Sequence, residues 1–331
     1  MMKILSIIVP AYNVGKYLNE VLPTYVSSSL ENAIEVIIVN DGSKDDTLDI
    51  ANNYCKKYPS IFKVLDKENG GHGSTINAGL KVAVGKYVKV IDGDDWVTTK
   101  NLEKLVQVLN DTDVDIIINP FIQVNEVTKK EILIKDDAFS YEKVYNVDDV
   151  FSSIDRLYQI HSVTFNRKVL ENIPLITENC FYVDQQYVSY PLKFAKNVIF
   201  LDFPVYNYRV GNSGQSVAIK NQQKNRAMLK TVAKSLSDYI VNNNMSDGAR
   251  NFIAVRVAGM IFKIYRVYLA YGPNKEKYNE WLECKRDIGF NKFVFSKFTS
   301  LEKKLFSSNS RLLFYGLATI YRLKLIANKK L

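Results

Sequence analysis

Three carboxylates fall within four residues in Asp92-Gly93-Asp94-Asp95, directly after an apolar run at 87–91 and before Trp96. Carboxylates crowded at one strand end repel each other, and burying them together is costly without a cation. A hard divalent ion, Mn2+ or Mg2+, resolves the conflict because it takes one or two protein carboxylates and completes its shell with phosphate oxygens of a substrate. The plainer alternative is an acidic turn that caps a helix over 98–109.

Two further segments carry polar groups at strand ends. Asp41, in Val39-Asn40-Asp41-Gly42-Ser43, is placed to accept hydrogen bonds from a base or ribose edge, with Gly42 allowing close backbone approach. An ordinary Asp-Gly-Ser turn is its alternative. The stretch Asn69-Gly70-Gly71-His72-Gly73-Ser74-Thr75-Ile76-Asn77 reads as a loop feeding a helix, suited to placing amides near an anion. Its glycine spacing is not the dinucleotide fingerprint, and no lysine follows as a P-loop requires.

The elements that must position these groups are legible as alternation. Strand-type runs at 5–10, 35–40, 62–66, 87–91 and 115–120 alternate with helical patterns, the sign of βαβ units and a mostly parallel sheet. Runs such as Ile7-Ile8-Val9 and Ile116-Ile117-Ile118 are continuous rather than alternating, as strands covered on both faces require. Ligands of such sheets sit at the carboxyl ends of the strands. The segments Pro10-Ala11-Tyr12-Asn13, Asn40 to Ser43, Lys67 to Gly71 and Asp92 to Asp95 therefore converge on one crevice. Residues 125–155 are expected to be an irregular or β-rich insertion, and the chain turns helical beyond Gln215, over 221–242, 247–271 and a basic tail. In the middle helix Arg256, Lys263 and Arg266 share a narrow arc, so its other faces should pack against protein.

In this order the motifs resemble the family 2 glycosyltransferases: Ser6-Ile-Ile-Val-Pro-Ala-Tyr-Asn13, Val39-Asn-Asp-Gly-Ser43, Asn69-Gly-Gly71 with Asn77-Ala-Gly-Leu80, Gly85-Lys-Tyr87, and Asp92-Gly-Asp-Asp95. The likeness covers residues 4–120. It implies an α/β GT-A fold, a Rossmann-like, mostly parallel sheet flanked by helices, with a helical C-terminal extension. It also implies an inverting transfer from a nucleotide-diphospho-sugar donor, with UDP favoured, to an acceptor hydroxyl of a cell-surface glycan or lipid-linked acceptor. By that likeness Pro10, Ala11, Tyr12, Asn13, Asp41, Asn69, Gly71, Asn77 and Gly93 line the donor pocket. Asp92 faces the ribose or donor sugar and Asp94 ligates the metal. The segment Phe181-Tyr-Val-Asp-Gln-Gln-Tyr187 resembles the family's acceptor-side acidic motif, with Asp184 as catalytic base; the common Glu-Asp is here Val183-Asp184. Many members carry Arg where this chain has Ile76.

His161 is either a structural hydrogen-bonding group or a further metal ligand, and His72 in the Gly-rich loop is equally open. Tyr206-Asn-Tyr-Arg209, followed by Gly211, Gln215 and Ser216, resembles the end of the catalytic domain in bacterial members, and Arg209 is read as offsetting phosphate charge. The domains are accordingly expected at 1–218, with a nucleotide-sugar half over 1–120 and an acceptor half over 121–218, and at 219–331.

The 331 residues, 47% of them hydrophobic, suffice for one large core and a smaller unit. Cys55, Cys180 and Cys284 are far apart and read as reduced thiols. The opening residues lack the regions of a signal peptide, and no apolar stretch approaches the roughly 20 residues of a bilayer span. Of the net charge of +9, the last 31 residues hold +6: Lys303, Lys304, Arg311, Arg322, Lys324, Lys329 and Lys330 against Glu302. The apolar stretch 312–321 between Arg311 and Arg322 suits a helix lying on anionic lipid. The expected location is cytoplasmic and peripheral, on the inner face of the plasma membrane, with homo-oligomerisation possible. An acidic crevice has the wrong sign for nucleic acid, so the alternative of a basic nucleic-acid- or lipid-binding module is disfavoured as the main function. A sugar nucleotidylyltransferase, the other metal-using alternative, needs an Arg- and Lys-bearing Gly-rich loop where this chain has Pro10 to Lys16.

Overall fold

The continuous apolar runs become strands that are buried along their whole length. Every residue of β1 (Leu5–Ala11) and β2 (Ile34–Asp41) is buried, because helices cover both faces of the sheet they join. With β3 (Phe62–Lys67) and β4 (Tyr87–Val90) they form the parallel half of an eight-stranded sheet. The other half contains β6 (Ile116–Ile118), β9 (Val144–Asn146), β10 (Val163–Asn166) and β11 (Asn197–Phe200), in the order β3-β2-β1-β4-β10-β6-β11-β9. Six strands run one way. β10 runs against both its neighbours, β4 and β6, and β9 runs against β11. A second sheet orders β5 (Trp96–Val97), β12 (Tyr206–Val210), β7 (Phe121–Asn125) and β8 (Glu131–Ile134) as β5-β12-β7-β8.

The computed structural model describes residues 3–152, 158–211, 219–289 and 291–328. Two compact units emerge, Met1–Val147 with Tyr158–Asn212, and Asp148–Leu157 with Ser213–Leu331. In the first unit the sheet is flanked by α1 (Gly15–Val21), α2 (Thr47–Lys57), α3 (Gly71–Val82) and α4 (Thr99–Asn110). The short α5 (Val147–Phe151) starts the excursion into the helical unit, and α6 (Asp184–Tyr187) lies in the first unit. The β-rich expectation for 125–155 is met by β8 and β9, with α5 helical at its end.

The second unit holds α7 (Ile219–Lys224), α8 (Arg226–Asn242), α9 (Asp247–Leu269), α10 (Lys275–Ile288), α11 (Lys292–Ser296), α12 (Ser300–Ser307) and α13 (Arg311–Ala327). Its centre is α9, which packs against α7, α8, α10, α11 and α13. The polar arc expected on α9 departs from the sequence reading: Arg256 is buried, its guanidinium 5.0 Å from the Phe252 ring. Lys263 is half-buried and Arg266 exposed, so the arc reaches solvent only toward the end of the helix, while its other faces pack on five helices as expected. Gln215 and Ser216, the 218/219 boundary's first residue, Lys329 and Lys330 lie outside the described residues.

Candidate active site

The ends of β1, β2 and β4 are tied together by backbone contacts that glycine permits. The Gly93 amide donates to the Pro10 carbonyl at 3.1 Å, and a Cβ at Gly93 would lie 2.8 Å from that oxygen. Asn13 adopts φ 53°, its amide takes a hydrogen bond to Ser43 Oγ, and its Oδ1 accepts from the Lys44 amide at 2.8 Å. Asn13 thus joins the first strand end to the second. Ala11 is buried, while Tyr12 is 52% exposed, which leaves its ring open to a planar ligand.

Asp41 is spent inside the protein. Its Oδ1 accepts from Lys67 Nζ at 2.7 Å, the Gly70 amide at 2.9 Å and Ser74 Oγ at 3.3 Å, and its Oδ2 accepts from the Gly71 amide at 2.8 Å. The carboxylate therefore caps the positive end of α3. Asn69 donates to the Asp41 carbonyl at 2.9 Å. The amides expected to meet an anion already have one, which differs from the sequence reading of this loop.

The glycines and Asn77 of α3 serve a second purpose. A Cβ at Gly73 would lie 2.1 Å from the Thr177 carbonyl oxygen, and one at Gly71 would crowd the Asn179 backbone at 3.3 Å. Asn77 Nδ2 donates to the Ile176 carbonyl at 2.8 Å, and its Oδ1 accepts from the Ile176 amide at 3.0 Å. From the other side buried Gln186 grips Thr177, accepting from its amide and donating to its hydroxyl, both at 2.9 Å. The Asn179 amide donates to the Gly70 carbonyl at 2.6 Å. Residues 176–179 are thus clamped onto α3, immediately before Asp184. In the same segment Asn179 and Tyr182 adopt φ of 52° and 67°, conformations that cost side-chain-bearing residues about 1–3 kcal/mol each and persist where surroundings impose them.

Asp184 opens α6, half-buried, and its Oδ2 accepts from Gln185 Nε2 at 2.5 Å. Its charge raises the pKa of both His72 and His161, against the lowering by burial.

At the end of β4 Tyr206 holds both sides of that turn. Its hydroxyl accepts from the Asp92 amide at 3.1 Å and donates to Asp95 Oδ2 at 2.6 Å, while the Arg209 amide donates to Asp95 Oδ1 at 2.7 Å. Asp92 Oδ1 lies 2.9 Å from His72 Nε2. Burial opposes the Asp92 charge, but the His72 hydrogen bond and the neighbouring histidines hold its pKa below the usual range. Burial drives the Asp95 pKa well up, and Asp94 and Asp92 add to the shift. Burial and the Asp92 charge also push Asp94 up to about 6. Asp92 thus keeps its charge, while burial and that charge press Asp94 and Asp95 toward their protonated forms.

His161 approaches from β10's leading end. It is buried, stacked on Tyr208 with ring centroids 4.1 Å apart, and its Nδ1 lies 3.2 Å from Gln159 Oε1. Burial lowers the His161 pKa to about 4, so the ring is neutral near pH 7. Lys89 of β4, fully buried and pushed down to about 7 by burial, donates to the His161 and Val163 carbonyls at 3.1 Å each. It fixes the His161 segment to the strand that ends in Asp92. Ligand atoms of Asp92, Asp95 and His161 lie within 4.8 Å of one another. Two carboxylates and a neutral imidazole are a donor set that fits Mn2+ or Mg2+.

Asp94, the ligand expected from the sequence, lies outside that trio, and its carboxylate accepts from its own amide. Arg209 also differs from expectation. Its guanidinium is 6% exposed, lies 4.7 Å from both the Tyr17 and Trp96 rings, donates from Nε to the Asp94 carbonyl at 2.8 Å and pairs with Glu20 at 3.1 Å. It braces the turn from behind rather than reaching toward a phosphate. Asp95 was visible in the acidic triplet, whereas the bonds that Tyr206, Lys89 and Gln186 make gave no signal that chemistry alone would single out.

A parallel sheet interrupted by one antiparallel strand, with carboxylates and an imidazole at the strand ends, defines a GT-A type fold. The chain belongs to glycosyl transferase family 2, whose pattern matches residues 6–174. Among relatives, EpsH of Bacillus subtilis is 31% identical over 66% of this chain and 64% of its own length. The minor teichoic acid biosynthesis protein GgaB of the same organism is 30% identical over 72% of this chain and 27% of its own length. The matches thus span less than two thirds of either relative. Among solved structures, Staphylococcus aureus TarS 1-349 in complex with UDP-GlcNAc covers 99% of this chain and 92% of that one, with TM-score 0.69 and 18% identity. The mannosyltransferase PcManGT of Pyrobaculum calidifontis, in complex with GDP-Man and Mn2+, covers 100% and 89%, with TM-score 0.53 and 14% identity.

Proposed function

We propose that the chain is an inverting glycosyltransferase that moves a sugar from a UDP-sugar to an acceptor hydroxyl during cell-surface glycan synthesis. The acceptor is a glycan or lipid-linked glycan, met at the cytoplasmic face of the plasma membrane. The observation that carries the reading is the convergence of Asp92, Asp95 and His161 within 4.8 Å, with the Asp184 charge acting on the same histidine.

Asp184 takes the proton of the acceptor hydroxyl as that oxygen bonds to the anomeric carbon and the bond to the nucleotide diphosphate breaks on the opposite face. Asp92, Asp95 and His161 would hold a divalent ion, with Asp94 beside them as a further carboxylate that could join it. When bound, the ion supplies Lewis-acid neutralisation of the charge gathering on the leaving diphosphate. The exposed Tyr12 ring stacks on the nucleoside base. His161, neutral near pH 7 and fixed through Gln159 and Lys89, would offer a ring nitrogen to the ion.

The experiment is a panel of nucleotide-sugars with Mn2+ or Mg2+, with product stereochemistry read by NMR. Asp184→Asn is expected to keep donor binding and lose turnover. Wild-type turnover in that variant, or a retained anomeric configuration, removes the mechanism.

A further inference from the structure

The apolar side chains of α13 divide into two faces. Phe314, Ala318 and Leu325 are buried within the helical unit, where Phe314 meets Tyr265 and Tyr278 at ring distances of 6.0 and 5.3 Å. The opposite face is just as apolar and points away from the unit: Leu312 is 83% exposed, Ile320 67%, Leu323 61% and Ile326 56%. Leu313 extends it, and at Gly316 an added Cβ would meet nothing. Leu312, Gly316, Ile320 and Leu323 recur three or four residues apart, so these residues form one stripe along the helix.

The charges of α13 border that stripe. At 3.6 residues per turn Arg311 and Arg322 fall along one edge and Lys324 along the other, and all three are exposed. The helix carries no carboxylate. A second copy docking the same face across a two-fold axis would bring these cations toward each other, with no carboxylate on the helix to offset them. An anionic lipid surface meets both demands: the leucines and isoleucines enter the boundary of the acyl chains, and the cations reach headgroup phosphates from the sides.

We propose that α13 is an interfacial anchor that lies flat on anionic lipid, inserting Leu312, Ile320, Leu323 and Ile326 with Arg311, Arg322 and Lys324 at the headgroups. No described helix is long and apolar enough to cross a membrane. The anchor is thus a surface contact. It sits apart in sequence from every residue assigned to transfer, so its failure and the failure of the transfer chemistry are separable.

The test is sedimentation of the full chain with vesicles of phosphatidylglycerol and phosphatidylcholine, against phosphatidylcholine alone. Arg322 donates to the Tyr271 carbonyl and is partly engaged; each remaining cation near an anionic surface contributes about fivefold, so Arg311 and Lys324 predict a preference of roughly twenty-fivefold for the anionic vesicles, falling with salt. Leu312→Glu/Leu323→Glu is expected to lower binding at least tenfold, a rough minimum, and Arg311→Gln/Lys324→Gln to erase most of the anionic preference. Circular dichroism and transfer to a soluble acceptor should match the wild type in both variants. Wild-type protein that ignores anionic vesicles, or binds neutral ones equally, overturns the proposal. So does a concentration-dependent dimer that Leu312→Glu/Leu323→Glu dissociates, since the face then belongs to a second copy.

Discussion

Asn77 and Ile176, 99 residues apart in sequence, exchange two hydrogen bonds that fasten the segment before Asp184 to the helix behind the aspartate turn. The side-chain amide imitates a strand partner, giving one donor and one acceptor to a single residue's backbone. The segment leading to Asp184 is thereby placed relative to α3 through Asn77, Gly73 and Gln186.

Asn77→Ala removes both bonds and strands a buried amide and carbonyl, an expected cost of about 1–3 kcal/mol per unsatisfied group. If the clamp positions Asp184, kcat should fall about a hundredfold, since small displacements of reacting groups have that effect, while UDP affinity holds. Kinetics beside calorimetric titration with UDP separates this from general destabilisation, which would weaken both.

Gly73→Ala tests the same clamp by sterics. Its Cβ would meet the Thr177 carbonyl oxygen at 2.1 Å, so the segment must move. The variant should reproduce the Asn77→Ala phenotype, and a normal kcat would show that the segment's position does not govern turnover.

Much of this site was legible in the sequence, and the illegible part has a physical cause. Continuous apolar runs gave away β1, β2 and β6 because burial on both faces forbids alternation. The acidic triplet after β4 announced a charge problem that few structures other than a cation site resolve. For Asp41, Arg209 and Asn77 the sequence reveals a polar group but not the protein partner that engages it. Lys67 and two amides take up Asp41, two rings and Glu20 take up Arg209, and Ile176 takes up Asn77. Tyr206 stands in a motif that the sequence singles out, but its hold on the Asp92 turn, like that of Lys89 on the His161 segment, depends on partners more than 70 residues away.

Tyr206→Phe deletes the hydroxyl that accepts from the Asp92 amide and donates to Asp95. Both partners are left short of a bond in a buried turn, at an expected cost of about 1–3 kcal/mol. Manganese affinity, read by calorimetry, should fall alongside, because Asp95 loses the contact that orients it. Unchanged affinity would mean that the turn holds its shape without Tyr206.

Glu35 supplies the pH test, remote from the crevice. Burial opposes its charge, yet hydrogen bonds from Lys63 at 2.6 Å, Ser6 at 2.5 Å and the Val84 amide at 2.8 Å hold its pKa below the ordinary value. Below an unfolded value of about 4.3, the unfolded chain binds more protons than the folded one until the folded pKa is passed. Its contribution is thus complete above that value and lost as pH falls through the folded pKa. Glu35→Gln should flatten this acid limb of stability in urea melts; an unaltered limb would assign acid sensitivity elsewhere.

The central claim is that Asp92, Asp95 and His161 together hold a divalent cation. Calorimetric titration of manganese into the protein with UDP present measures it directly. The wild type should bind one ion, and Asp92→Asn and His161→Ala should each weaken binding at least about tenfold, as loss of a ligand does, with the fold intact by circular dichroism. Absence of heat for the wild type, or equal affinity in both variants, would contradict the account.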